Sequence, residues 1–93
     1  MTISIIKQSE DVFTVKVTSD VSTSHTVTVT NQSLTDLTDN NVTKAQLLEF
    51  SLNFLLQREP NTSILSSFDI NVISRYFSDY RDEVRRWCDE SQN

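Results

Sequence analysis

The chain reads as an α+β domain in two layers: a three-stranded antiparallel β-meander followed by a long central helix and two or three short C-terminal helices. Three observations predict this. Residues 1–30 alternate β-branched and polar side chains with the period of a strand, residues 43–59 place apolar side chains at helical spacing between start and stop signals, and residues 63–88 hold shorter helical patterns. Ninety-three residues are enough for a single core but not for a core with a deep cleft and a lid, so one domain over 1–93 is expected.

The strands are predicted at 2–7, 12–18 and 24–30. Phe13, Val15 and Val17 share a face with Val27 and Val29, and Ile3 and Ile5 join it, whereas Thr14, Lys16 and Thr18 share the other face with Thr26, Thr28 and Thr30. One side of the sheet is therefore buried. The turns around Ser9 and Asp20 contain no glycine, which predicts loose loops rather than tight primed turns. Between residues 31 and 41, Leu34 and Leu37 stand at helical spacing among capping residues, a pattern for one short helical turn and a loop.

The segment Thr43 to Glu59 is the predicted centre of the fold. Thr43 is placed to cap its first turn with Gln46 reaching back, and Val42 and Leu47 form a hydrophobic staple. At about 100° per residue, Ala45, Leu48, Leu52, Leu55 and Leu56 make one apolar stripe, and Leu47, Phe50 and Phe54 a second on the far side. Two stripes imply a helix covered on two sides. Pro60 ends it, because the ring cannot donate to the ladder and the residue before it is pushed out of helical geometry. Beyond Pro60 the pattern predicts a turn at 63–67, a helix capped by Asp69 and running through Phe77 with Phe68 and Ile73 as its staple, and a last helix from Asp79 to about Cys88. Tyr80, Val84 and Trp87 or Cys88 form its apolar side, and the tail from Glu90 to Asn93 is expected to fray.

Composition removes several function classes. The 13 acidic residues outnumber the 8 basic ones, and a net charge of -5 repels phosphate backbones. With no glycine at all, the chain has no phosphate loop, dinucleotide fingerprint or nucleophile elbow, each of which needs glycine for positive φ or close backbone approach. A lone cysteine forms no internal disulfide, the first residues lack the pattern of a signal peptide, and no apolar run is long enough to span a bilayer. The expected location is cytoplasmic, without membrane association.

The stretch Arg58 to Glu83 resembles the C-terminal signature of an uncharacterised family of short bacterial proteins, written REPxxSIL…FDxxVISRYF. Ser63, Ile64, Leu65, Phe68, Asp69, Val72, Ile73, Ser74, Arg75, Tyr76 and Phe77 carry the match, and Ser78 stands where the signature has proline. The resemblance implies a bacterial fold unit and brings no activity with it.

No cofactor or metal is expected. His25 and Cys88 are the only residues of their kinds and fall in different elements, and the twelfth position counted from Asp39 is Phe50 rather than the glutamate a calcium loop needs. Arg85 and Arg86 stand close enough in sequence to lower the pKa of Cys88, and His25 is available as a base, but a buried thiol and a hydrogen-bonded strand histidine are the ordinary readings. Adjacent carboxylates such as Asp82 and Glu83 diverge on a helix, so no catalytic constellation is present and a non-enzymatic role is expected.

What remains is an arginine and aromatic cluster: Arg75, Tyr76, Tyr80, Arg81, Arg85 and Trp87, residue types typical of interface hot spots. It marks a candidate partner-binding surface for another protein or a second copy of the chain. The competing reading is a solvated helix face neutralised by Asp79, Asp82, Glu83 and Asp89. The expected function is thus a small protein-interaction or regulatory module. The alternative is a nucleic-acid-binding, antitoxin-like regulator, against which stand the acidic balance and a threonine-rich sheet face without stacking aromatics.

Overall fold

Strands and helices form where alternation and caps direct them, with one strand added. The structure, a computed structural model, describes residues 2–91. Its elements are β1 (Thr2–Lys7), β2 (Val12–Thr18), β3 (Thr23–Thr28), α1 (Asn31–Thr38), α2 (Lys44–Leu56), β4 (Ser67–Asp69), α3 (Ile73–Tyr76) and α4 (Tyr80–Ser91). Single 3-10 turns, Asn61–Ser63 and Ile70–Val72, flank β4.

β1, β2 and β3 form the antiparallel meander. Val15 lies opposite Ile5 and His25, and Phe13 opposite Lys7 and Val27, so the predicted apolar face is continuous across the strands. Phe13, Val15, Val17, Val27 and Val29 are all buried, each withdrawing a side chain from water for about 1.5–3 kcal/mol. The two hairpin loops are open, as the lack of glycine predicts. At the first, the amides of Gln8 and Ser9 both donate to the Val12 carbonyl, at 2.8 and 3.1 Å. Positive φ among the described residues falls only on Asp39 and Asn40, at the end of α1.

The sheet has four strands, not three, and is mixed. β4 joins the outside of β3 in parallel, with Phe68 against Val27, giving the order β1-β2-β3-β4. The sequence reading gave Phe68 to a staple and the preceding residues to a turn. A strand of three residues has no periodicity to read, and its partner lies some 40 positions earlier. Asp69 serves both elements: it ends β4, and its carboxylate accepts from the Asn71 amide at 2.9 Å to start the next turn.

α1 is also longer than expected, eight residues rather than one turn. The Thr30 hydroxyl accepts from the Ser33 amide at 3.1 Å, and Asp39 closes the helix in left-handed geometry. α2 carries the predicted capping box: the Gln46 amide reaches the Thr43 hydroxyl, and the Gln46 side chain accepts from the Thr43 amide. It stops at Leu56, three residues short of the expected end, with Gln57 to Glu59 turning into Pro60. Leu48, Leu52 and Leu55 are buried along with Leu47, Ser51 and Phe54, so the helix is covered on two sides, in contact with β1 and α4. Ala45 is exposed, and the first stripe begins at Leu48.

α4 buries Tyr80, Val84 and Cys88 and leaves Trp87 half-buried. Its helix runs through Ser91 and so takes in Glu90 and Ser91 of the tail; Gln92 and Asn93 lie outside the described residues. No helix among the described residues is long and apolar enough to cross a membrane.

Candidate functional site

The chain's two reactive side chains are both absorbed by the core. His25 is 2% exposed, with Nδ1 2.8 Å from the Leu65 carbonyl and Nε2 2.8 Å from the Thr23 hydroxyl. A carbonyl only accepts, so Nδ1 carries a proton and donates to Leu65, and in the neutral ring Nε2 accepts from Thr23. The Thr23 oxygen accepts in turn from the Asn61 side-chain amide at 3.0 Å, and that amide also donates to the Val21 carbonyl at 2.7 Å. The result is a relay of structural hydrogen bonds that fastens residues 61–66 to β3.

Cys88 is buried, and burial pushes its thiol above the usual range. Asp89 and Asp39 add to that rise, and Arg85 offsets it only in part. The arginine effect is thus outweighed, and the thiol is the small buried side chain that the sequence reading favours. Tyr80 is raised further, first by burial. Its hydroxyl bonds to the Ser51 hydroxyl, which donates to the Leu47 carbonyl at 2.7 Å. With that hydrogen committed, Tyr80 is the donor to Ser51.

These facts redraw the predicted arginine and aromatic surface. Tyr80 is 0% exposed and belongs to the core, not to a surface, because its α4 position faces α2. Arg81 and Arg85 are exposed on one flank of α4, Arg85 lying 4.0 Å from Asp39 across solvent. Trp87 is on the other flank, stacked on Phe50 with ring centroids 4.6 Å apart and planes 15° from parallel. Arg75 and Tyr76 are exposed on α3. The six residues therefore divide among the core, two sides of α4, and α3.

Two grooves border these positions. The first, of about 610 Å³, runs between α2 and α4. Its floor is Phe50, Phe54 and Trp87, and its walls are the polar strip Gln46, Glu49, Asn53 and Gln57 with Arg58 and Glu83. Arg58 is fixed there: its guanidinium sits 3.6 Å over the Phe54 ring, bonds Asp79 at 2.7 Å and caps the Phe54 carbonyl at 3.1 Å.

The second groove, of about 380 Å³, lies between the end of α2, the segment before β4, and α3. Leu55, Ile64, Phe68 and Ile73 form its buried base, Val72 and Phe77 its half-buried wall, and Leu65 and Tyr76 its exposed rim. Leu65 is 49% exposed and Tyr76 is 70% exposed. Glu59 and Ser63 add the polar atoms, and the Glu59 carboxylate forms no ion pair among the described residues.

Of the predicted surface residues, this second groove takes only Tyr76. Leu65 was missed because the turn predicted at 63–67 carries no periodicity to say which of its side chains faces out. The fold separates them: Ile64 turns into the core, and the Leu65 carbonyl is held by His25, which leaves its side chain facing out.

Tyr80 and Cys88, whose acidities burial displaces, lie in the core and line neither groove. No group of three or more His, Cys, Asp or Glu side chains is placed to hold a metal ion among the described residues. Comparison with known proteins adds no relative: no protein-family model matches the chain, and no curated protein or solved structure shows significant similarity to it.

Proposed function

We propose that this chain is a small non-enzymatic protein-interaction or regulatory module, and that it seats an apolar segment of a partner protein in the groove rimmed by Leu65 and Tyr76. The observation that carries this reading is the pairing of those two side chains. Of the four large apolar residues left exposed among the described residues, two line one groove, over a base of buried apolar side chains. Exposed apolar surface that is continuous, rather than scattered singly, is characteristic of an interaction site.

Charge supports the choice of occupant. Glu59 stands at the groove without a cationic partner among the described residues, and the net charge of -5 steers basic segments toward the chain. The partner segment is thus apolar with at least one basic residue. The stretch resembling the bacterial signature also supports the groove, since Ser63, Ile64, Leu65, Phe68, Val72, Ile73, Tyr76 and Phe77 all line it. The two groups that would suggest catalysis, His25 and Cys88, are committed to structural contacts.

The test compares affinity capture from lysate by the wild-type chain and by Leu65→Asp with Tyr76→Ala, with nuclease present. Both side chains are exposed, so the double variant is expected to fold. A stoichiometric protein held by the wild type and lost by the variant is the expected result. Equal capture by both chains, or capture only of material that nuclease removes, overturns the reading.

A further inference from the structure

The sheet ends on one side at β1, and this edge carries an inference independent of the groove. The Gln8 amide donates inward to Val12, and amides along a strand point alternately to its two sides. Ile6 and Ser4 therefore point their N–H and C=O groups at β2, and Ile3, Ile5 and Lys7 point theirs away from the sheet. The same alternation holds on β3, where the Thr26 amide donates outward to Ser66 and the Val29 amide donates back to Asp11. β1 is the last strand on its side and has no partner beyond it among the described residues.

Side chains are left unfinished at the same place. All the inward apolar residues of β2 and β3 are buried, yet Ile3 and Ile5, on the same face, remain half-exposed, and Ile6 is exposed on the other face. β1 has no proline and no acidic residue, and its one charged side chain, Lys7, stands at its end, so the stretch from Ile3 to Ile5 is not blunted and two such edges approach without the repulsion of the chain's acidic excess.

We propose that β1 pairs antiparallel with β1 of a second copy about a two-fold axis at Ser4, joining two four-stranded sheets into one of eight. A two-fold perpendicular to the sheet keeps the inner face inside, so facing residues must have the same parity. With the axis at Ser4, Ile3 faces Ile5 of the partner subunit and Ile5 faces the partner's Ile3. The outward groups of both residues close four backbone hydrogen bonds, and the four isoleucines form one apolar ladder. Shifting the axis to Ile5 would lay each Lys7 ammonium, now in water near Glu10, beside an isoleucine of the partner. The contact is small, so the dimer is a weak one, with a dissociation constant on the order of 10–100 µM.

Sedimentation of the full chain from about 1 µM to 1 mM tests the pairing across that range. A monomer–dimer equilibrium is expected, and Ile5→Pro, which deletes an amide hydrogen the monomer does not use, should weaken it about thirtyfold by removing two hydrogen bonds. Because proline could also perturb the monomer, oxidative cross-linking supplies a second reading. Ser4→Cys lies at the axis in a non-hydrogen-bonded pair and should form an intermolecular disulfide, whereas Ile6→Cys, exposed on the same outer face but displaced from the axis, should not. A chain that stays monomeric throughout, or Ser4→Cys cross-linking no faster than Ile6→Cys, overturns the proposal.

Discussion

The two edges of the sheet are held by different means. β1 has six residues and is paired through a local hairpin; backbone alternation alone places it, and it leaves Ile3 and Ile5 half-covered. β4 has three residues and is paired across a long crossover; it depends on buried polar side chains. His25 holds the Leu65 carbonyl, Asn61 holds Val21 and Thr23, and the Thr26 amide reaches Ser66. A short non-local strand has little backbone pairing of its own, so side-chain hydrogen bonds from the buried His25 and Asn61 supply the rest. A local strand needs none of this, which leaves its outer edge available.

The largest effect should come from breaking the closed edge. His25→Ala removes partners from the part-buried Leu65 carbonyl and Thr23 hydroxyl and leaves a cavity where a buried ring stood, and a loss of about 3 kcal/mol in urea unfolding is expected. Hydrogen exchange should rise first at the Thr26 amide, bonded to Ser66, while Thr14 and Lys16, whose amides face β1, keep their protection. A change below about 1 kcal/mol would show that β4 stands without the relay.

A second perturbation strikes the core that both edges share. Tyr80 holds its proton in the folded state well above the ordinary phenol range because it is buried. Above about pH 10 the unfolded chain has lost that proton while the folded chain keeps it, so stability is intact below pH 10 and falls by up to about 1.4 kcal/mol per pH unit above it. Tyr80→Phe should flatten this alkaline slope, at a cost of about 1 kcal/mol at neutral pH for the lost bond to Ser51. An unchanged slope in the variant would assign alkaline unfolding to another group.

The smallest effect belongs to the open edge. Ile5→Ala, measured at a concentration where the chain is monomeric, should cost about 1 kcal/mol, well below the loss for a fully buried isoleucine, because part of the side chain is already in water. A cost approaching that of His25→Ala would mean that β1 is as closed as β4, and the contrast would fail.

Legibility followed the same division. The meander, its buried face, the Thr43 and Gln46 cap, and the two-sided character of α2 were readable because each is set by residues within a few positions of one another. β4 was not, since its pairing with β3 leaves no local pattern at Ser67–Asp69. Of the candidate surface, Tyr76 was found by residue type. Tyr80 was misplaced because an amphipathic aromatic is as suited to a core with a hydrogen-bond partner as to an interface, and the partner, Ser51, sits on another helix. The groove at Leu65 became visible only once the fold had turned Ile64 inward and Leu65 outward.

By itself, the sequence determined the α+β class, the local antiparallel pairs, the helix starts, and the absence of glycine-dependent motifs, because strand period, capping geometry and the need for positive φ all act over a few residues. Only the tertiary structure decided the fourth strand, the hydrogen-bond partners of His25 and Tyr80, and which apolar side chains share a groove. Those depend on polar and apolar groups distant in the chain being desolvated together, and no local pattern specifies which groups will meet.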